Sequence, residues 1–279
     1  MTQPPGKEAL IYVHLPKAGG TTLNRVIEAE YPVSRIYCID PAYHAWANRR
    51  LAKAPDASLR GYDVFIGHMP YGLHARLDRP ARYITVFRSP VPRMISAYRF
   101  ARNYSLHPRR KLARSTTILE FLDRLKRHNV QTGLLAGQKF DEPVTEQSYE
   151  RAVRNLETHF AVGGLTERFD DTLALLMLRF GWKIERLGDF NVTAKDKGTR
   201  EPISEADKRQ IAEWNSLDVR LFDLATKRFE REIGENRAAI DANLAAIARA
   251  KDRARAEATS YYTGATLRKT AIRLRSLLI

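Results

Sequence analysis

Lys17, Gly19, Gly20, Thr21 and Thr22 stand together in the segment Leu15-Pro16-Lys17-Ala18-Gly19-Gly20-Thr21-Thr22, and their types suit the binding of a phosphate-like anion. Glycines let backbone N–H groups approach an anion closely, a helix N-terminus adds partial positive charge, and lysine brings a mobile ammonium. The order Lys-x-Gly-Gly-Thr-Thr is not the Gly-x-x-x-x-Gly-Lys-[Ser/Thr] of a Walker A loop. The plainer alternative is a glycine-rich turn carrying a solvated lysine. A second constellation reads Arg88-Ser89-Pro90-x-x-Arg93-x-x-Ser96-x-x-Arg99, inside a stretch from Arg79 to Leu119 with ten Lys or Arg and no Asp or Glu. Arg88 with the Ser96 hydroxyl suits a second phosphate. Arg99, Arg102 and Arg109 to Arg114 read as solvated helix faces. His68 is a candidate general base, because an imidazole with a pKa of about 6.5 exchanges protons at neutral pH. His74 is the alternative base, and His14 reads as a packed structural residue.

The elements that position these residues follow from apolar patterning. Ala9 to Leu15 is a short apolar and β-branched run of the kind found in buried parallel strands. It is broken by Pro16, and Thr21 or Thr22 then caps a helix that carries Leu23, Val26 and Ile27. Further strands are predicted at Asp63–Ile66, closed by Gly67 and His68, at Arg82–Phe87, closed by Arg88, and at Phe160–Gly163. Helices are predicted over Val91–Arg102, Thr117–Arg127, Ser148–Leu156, Asp170–Phe180 and, singly or as a pair, Glu205–Ile233. Asn129, Gln131 and Thr132 either line a cleft or face water, and Asn191 to Pro202, with Lys197 and Gly198, reads as a polar loop. Reactive or cationic residues thus follow successive strands. In open α/β sheets ligands bind outside the carboxyl ends of the strands, so these loops are expected to share one crevice.

The bulk numbers agree with a folded, anion-binding protein. The chain has 279 residues, with 44% hydrophobic and 28% charged residues, and a net charge of +15 from 47 Lys and Arg against 32 Asp and Glu. Cys38 is the single cysteine, which excludes an internal disulfide framework. With no leader-like start and no long apolar run, the sequence predicts a soluble cytoplasmic protein, or one peripheral at a membrane. After Gly234 the composition shifts to Ala and Arg, with nine basic and three acidic residues from Arg237 onward. This predicts a main domain over 8–233 and a basic helical extension over 234–279, the latter a candidate for membrane contact or homo-oligomer formation.

Taken together, Pro16–Thr22 and Arg88–Tyr98 resemble the PAPS-dependent carbohydrate sulfotransferases, especially the uronyl 2-O-sulfotransferase-like and bacterial family 2 group, where PAPS is 3′-phosphoadenosine 5′-phosphosulfate. The resemblance continues through Gly67–His74, Asn129–Thr132, Val162–Phe169, Asp196–Thr199 and Asn215–Phe222, spanning residues 10–230. Ala18, where the family has a hydroxyl residue, and Ser89, where it has Asp, are departures. The resemblance implies a P-loop-like three-layer sandwich, α/β with a central mostly parallel sheet flanked by helices. It assigns the 5′-phosphosulfate to Lys17, Gly19, Gly20, Thr21 and Thr22, and the 3′-phosphate to Arg88 and Ser96. Lys197 and Gly198 would close over the nucleotide, and His68 and Lys17 would be catalytic. PAPS would be a co-substrate, with no metal. The acceptor would be a hydroxyl, on an acidic glycan or a sugar lipid, with no nucleic acid partner. Two rival readings are a kinase-like phosphoryl-transfer enzyme, which would need a Mg²⁺-binding carboxylate at a strand end, and a non-enzymatic binder of anionic polymers or membranes.

Overall fold

The protein is described by a computed structural model covering residues 8–39, 44–188 and 202–276. Lys197 and Gly198 lie outside the described residues. Five strands, β1 (Ala9–Val13), β2 (Ile36–Ile39), β3 (Val64–Gly67), β4 (Ala81–Phe87) and β5 (Phe160–Leu165), pair in the order β2-β3-β1-β4-β5. Every pairing is parallel. The strands are apolar along nearly their whole length because helices cover both faces. β2 is the strand that the sequence reading did not include. It has only four residues and lies at the sheet edge, where the Cys38 N–H donates to Ser276 Oγ at 2.9 Å instead of to another strand.

The connections set the layers. α1 (Gly20–Glu30) carries the chain from β1 leftward to β2, and α2 (His44–Lys53) and α3 (Asp56–Leu59) return it to β3. The crossover from β4 to β5 runs the other way, through α4 (Pro90–Asn103), α5 (Arg110–Arg114), α6 (Ile118–Leu125), α7 (Val130–Leu135) and α8 (Glu146–His159). Right-handed crossovers in opposite directions put their helices on opposite faces, which gives the expected three-layer α/β sandwich. Beyond β5 come α9 (Phe169–Phe180), α10 (Glu205–Trp214), α11 (Ser216–Glu235), α12 (Arg237–Ala256) and α13 (Ala258–Ser276). The predicted run over Glu205–Ile233 is a pair of helices, broken at the buried Asn215.

The segment after 234 is helical, as its composition predicted, but it is built into the body. Ile240, Ile247, Ala250 and Ile272 belong to the same core cluster as the sheet. α12 packs on α9, while α13 packs on β2 and α1. Several of its cations are engaged there: Lys251 with Asp170 at 2.6 and 2.8 Å, Arg253 with the Glu185 carbonyl and Arg268 with the Glu28 carbonyl. Among the described residues, no helix is long and apolar enough to cross a membrane. Ile272 is fully buried. Ile272→Ala is therefore expected to destabilise the whole protein by about 2–5 kcal/mol, seen as a lower urea midpoint at unchanged slope. A loss under about 0.5 kcal/mol would show that α13 rides loosely on the sheet.

Candidate functional site

Three loops meet at the carboxyl ends of β1, β3 and β4. Register pairs Val13 with Gly67 and Tyr12 with Ile84, so the residues that follow these strands emerge at one edge. β1 is also where the strand order reverses, the usual position of a ligand crevice in such sheets. Two contacts hold the loops together: the His68 ring Nδ1 meets the His14 carbonyl at 2.6 Å, and Arg88 Nη1 donates to the Lys17 carbonyl at 2.9 Å. His68, Lys17 and Arg88, singled out by sequence, are thus brought together.

The first loop is shaped by its glycines. Gly19 is left-handed (φ 75°) and acts as the N-cap of α1, so the helix starts at Gly20. The threonines do not cap it, contrary to the sequence reading. Paired glycines let the turn close two or three residues earlier, leaving Thr21 and Thr22 in the first helical turn. No side chain caps this terminus and its first turn holds no acid, so the amides and the helix dipole remain available to an anion. A Cβ on Gly20 would lie 1.8 Å from His14 Nε2, which fixes this position as glycine. Lys17 is itself left-handed (φ 67°), a strain of about 1–3 kcal/mol held in place by the Arg88 hydrogen bond. Its ammonium lies 4.0 Å over the Phe100 ring, and burial together with the Arg88 charge pulls its pKa down to about 8.

His14 lies in the site, not merely behind it. Buried beneath Gly20, it stacks on Tyr12 at 5.3 Å and tilts against His68 at 4.3 Å. Burial, and then the charges of His68 and Lys17, hold it neutral by lowering its pKa well below the usual imidazole range. A carbonyl can only accept, so the contact with the His14 oxygen places a proton on His68 Nδ1 and makes Nε2 the basic nitrogen of the neutral ring. His74 is elsewhere. Its Nδ1 meets the Tyr83 hydroxyl at 2.9 Å and its ring stacks on His159, and these partners lie near the amino ends of β4 and β5.

Arg88 is positioned by residues whose role the sequence left open. The Gln131 side-chain amide pairs with both the N–H and the carbonyl of Arg88, each at 3.0 Å. Gln131 and Thr132, at the start of α7, are fully buried rather than solvated, and so is Asp218. Asp218 Oδ1 accepts from the Thr132 N–H and hydroxyl at 2.8 Å, and Oδ2 from the Gln131 N–H at 3.2 Å and Arg93 at 3.3 Å. Asn129 accepts the Asp218 N–H, and Asn215 accepts the Asn129 N–H. Arg93 is therefore a buried structural cation, not a ligand for phosphate. Ser96 is half-buried two turns into α4, the same helix that opens directly after Arg88. Glu167, which the sequence did not flag, accepts the Ser89 N–H at 2.9 Å and favours the charge of Arg88 against its burial.

A cavity of about 830 Å³ lies away from these loops, between α1, Trp182 and α13. Its charged walls neutralise one another, with Arg35 on Asp63, Arg25 on Glu28 and Arg186 on Glu257. The chemistry therefore favours the crevice, where Lys17 and Arg88 form no ion pair among the described residues. Removing the Asp218 carboxylate leaves Arg93 buried and unpaired, so Asp218→Ala is expected to lose about 3–5 kcal/mol in a urea titration. Unchanged stability would show that the network is not structural.

Known proteins extend this picture. The galactose-3-O-sulfotransferase family matches residues 39–277. Galactosylceramide sulfotransferase of Bos taurus is 27% identical over 194 residues, 63% of this chain and 44% of that protein. Galactose-3-O-sulfotransferase 2 of Mus musculus is 19% identical over 183 residues, 60% of this chain and 45% of its own length. The chain thus spans less than half the length of these curated relatives. A solved mouse sulfotransferase complexed with PAP aligns at a TM-score of 0.34 and 16% identity, over 74% of this chain and 64% of that one. The motifs pointed to carbohydrate sulfotransferases with the uronyl 2-O group foremost; the match confirms the broader class and names the galactose 3-O branch. Covering most of the sequence from β2 to α13, it shows that the chain belongs to the galactose-3-O-sulfotransferase family.

Proposed function

We propose that the chain transfers the sulfuryl group of PAPS to a hydroxyl of a glycan or glycolipid by in-line displacement, with His68 as the base. Membership of a carbohydrate sulfotransferase family supports the reaction class. The observation that carries the assignment to these residues is the tie between the two anion loops, Arg88 to the Lys17 carbonyl, with His68 docked on the same loop through His14. That arrangement suits a donor with anionic groups at two places and a reacting centre between Lys17 and His68.

The donor supplies an activated sulfuryl group on a phosphate leaving group. Lys17 and the uncapped amides of α1 stabilise negative charge growing on the leaving oxygen, an electrostatic role that needs a desolvated cation already in position. Arg88 and Ser96 hold the 3′-phosphate. His68 Nε2 takes the acceptor proton as attack proceeds, and Nδ1–H on the His14 carbonyl fixes the tautomer that allows it. A kinase-like reading would place a carboxylate where the ends of β3 and β4 present His68 and Arg88.

Titration calorimetry tests the donor assignment. Adenosine 3′,5′-bisphosphate without metal is expected to bind more tightly than ATP with Mg²⁺; the reverse order would sink the sulfotransferase reading in favour of phosphoryl transfer. Arg88→Ala should weaken bisphosphate binding by roughly tenfold or more. His68→Ala should lower turnover by about 10²–10⁴-fold with bisphosphate affinity retained, and full turnover would remove His68 as base. The pH dependence has a definite sign. The free protein loses the Lys17 proton above about pH 8, whereas a bound anion favours the ammonium. Above that pH binding takes up a proton, so affinity should fall by up to roughly tenfold per pH unit. A flat profile from pH 7 to 10 would show that Lys17 does not meet the donor.

A further inference from the structure

Two rows of side chains extend from Lys17 and His68 and converge on a pair of arginines. From Lys17 the first runs to Phe100, whose ring meets His107 edge-on at 5.5 Å; His107 Nδ1 in turn accepts the backbone N–H of Arg109 at 3.1 Å. From His68 the second runs to Phe140, edge-on at 6.5 Å, and the Arg127 guanidinium lies 5.6 Å from the centre of that ring. Arg109 and Arg127 are half-buried and close enough for the charge of one to oppose that of the other. Among the described residues neither guanidinium forms an ion pair; Asp141, exposed, is the carboxylate that acts on Arg127 from a distance. Most other cations of this protein that are drawn partly out of water have a carboxylate or carbonyl against them, as Arg35, Arg76, Arg93 and Arg228 do. Two neighbouring cations that lack one are matched to an anion that arrives from outside.

We propose that Arg109 and Arg127 form the acceptor's anion subsite, so that the sugar sulfated by this chain carries a negative oxygen group, a carboxylate or an existing sulfate ester, close to the reacting hydroxyl. The inference rests on the sulfotransferase reading above and narrows its acceptor. Arginine forks match both groups in geometry, and the aromatic faces of Phe100 and Phe140 flank the sugar's path between Lys17 and His68. The subsite belongs to the acceptor and not to the donor, because the donor's two anionic groups are matched by the α1 terminus and by Arg88 with Ser96.

Ligand-observed NMR titration in the presence of adenosine 3′,5′-bisphosphate tests this with matched ligands. One pair is a disaccharide ending in a uronic acid and its methyl ester; the other is a 6-sulfated galactoside and the unsulfated sugar. The wild-type protein is expected to bind the charged member of at least one pair roughly tenfold or more tightly, and which pair responds identifies the anion. The preference should shrink as salt is raised and collapse towards unity in R109Q/R127Q, whose bisphosphate affinity is kept. Equal affinity for charged and neutral ligands overturns the proposal, as does a double variant that loses the bisphosphate instead. If R109Q/R127Q fails to fold, R127K, which keeps the charge and loses the fork, should show a reduced preference, and an unaltered one counts against the proposal. Failure of the wild-type protein to bind the bisphosphate at all would strike the donor reading, a result distinct from every outcome of the ligand comparison.

Discussion

Arg88 is the hinge on which the site depends. Its guanidinium closes onto the Lys17 carbonyl, its backbone is clasped by Gln131, and Gln131 sits on a helix start held by the buried Asp218 carboxylate. A strained lysine at the end of the central strand is thus tied, through one arginine, to a polar network in the helical layer. The network is costly to bury, and both Asp218 oxygens are engaged in it, which favours a single geometry for the groups around them. The two anion loops therefore have a set separation before any ligand arrives.

Charge imbalance gives that geometry its chemical meaning. The cavity near α13 is also lined by arginines, but Arg25, Arg35 and Arg186 there have carboxylates beside them and Arg268 a carbonyl. In the crevice, Lys17 and Arg88 are partly withdrawn from water with no ion pair among the described residues, Glu167 acting on Arg88 only from a distance, and burial and the Arg88 charge lower the Lys17 pKa. Groups held in an unfavourable state by burial and mutual repulsion are released from it by an anion, and perturbed titration of this kind clusters at functional sites. His68 adds an imidazole whose tautomer is set by the His14 carbonyl, at the start of the first loop.

Much of this was legible in the sequence, and for identifiable reasons. β1, β3, β4 and β5 are apolar runs, and β3 and β4 are closed by glycine, histidine or arginine, so strand and candidate residue announced each other there. β2 was not legible because four residues give no period, and its outer edge is met by Ser276, over two hundred positions away. Gln131, Thr132 and Asp218 resemble the polar face of surface helices. Only their long-range pairing shows that they are core. The Ala- and Arg-rich tail suggested an appendage because small apolar residues dilute the pattern, yet Ile240, Ile247 and Ala250 mark a buried stripe at helical spacing. Arg109, read as a solvated cation within a basic run, drew notice only through its nearness to Arg127.

We propose that the crevice moves a sulfuryl group from PAPS to a sugar hydroxyl. Incubating the chain with PAPS labelled by radioactive sulfur, together with a panel of galactosides and acidic oligosaccharides, tests it directly. The expected result is label recovered on a sugar, in amounts equal to the adenosine 3′,5′-bisphosphate released, with neither product formed when Lys17 is replaced by Ala. Bisphosphate release without label on any sugar, or label transfer that persists undiminished in Lys17→Ala, would contradict it.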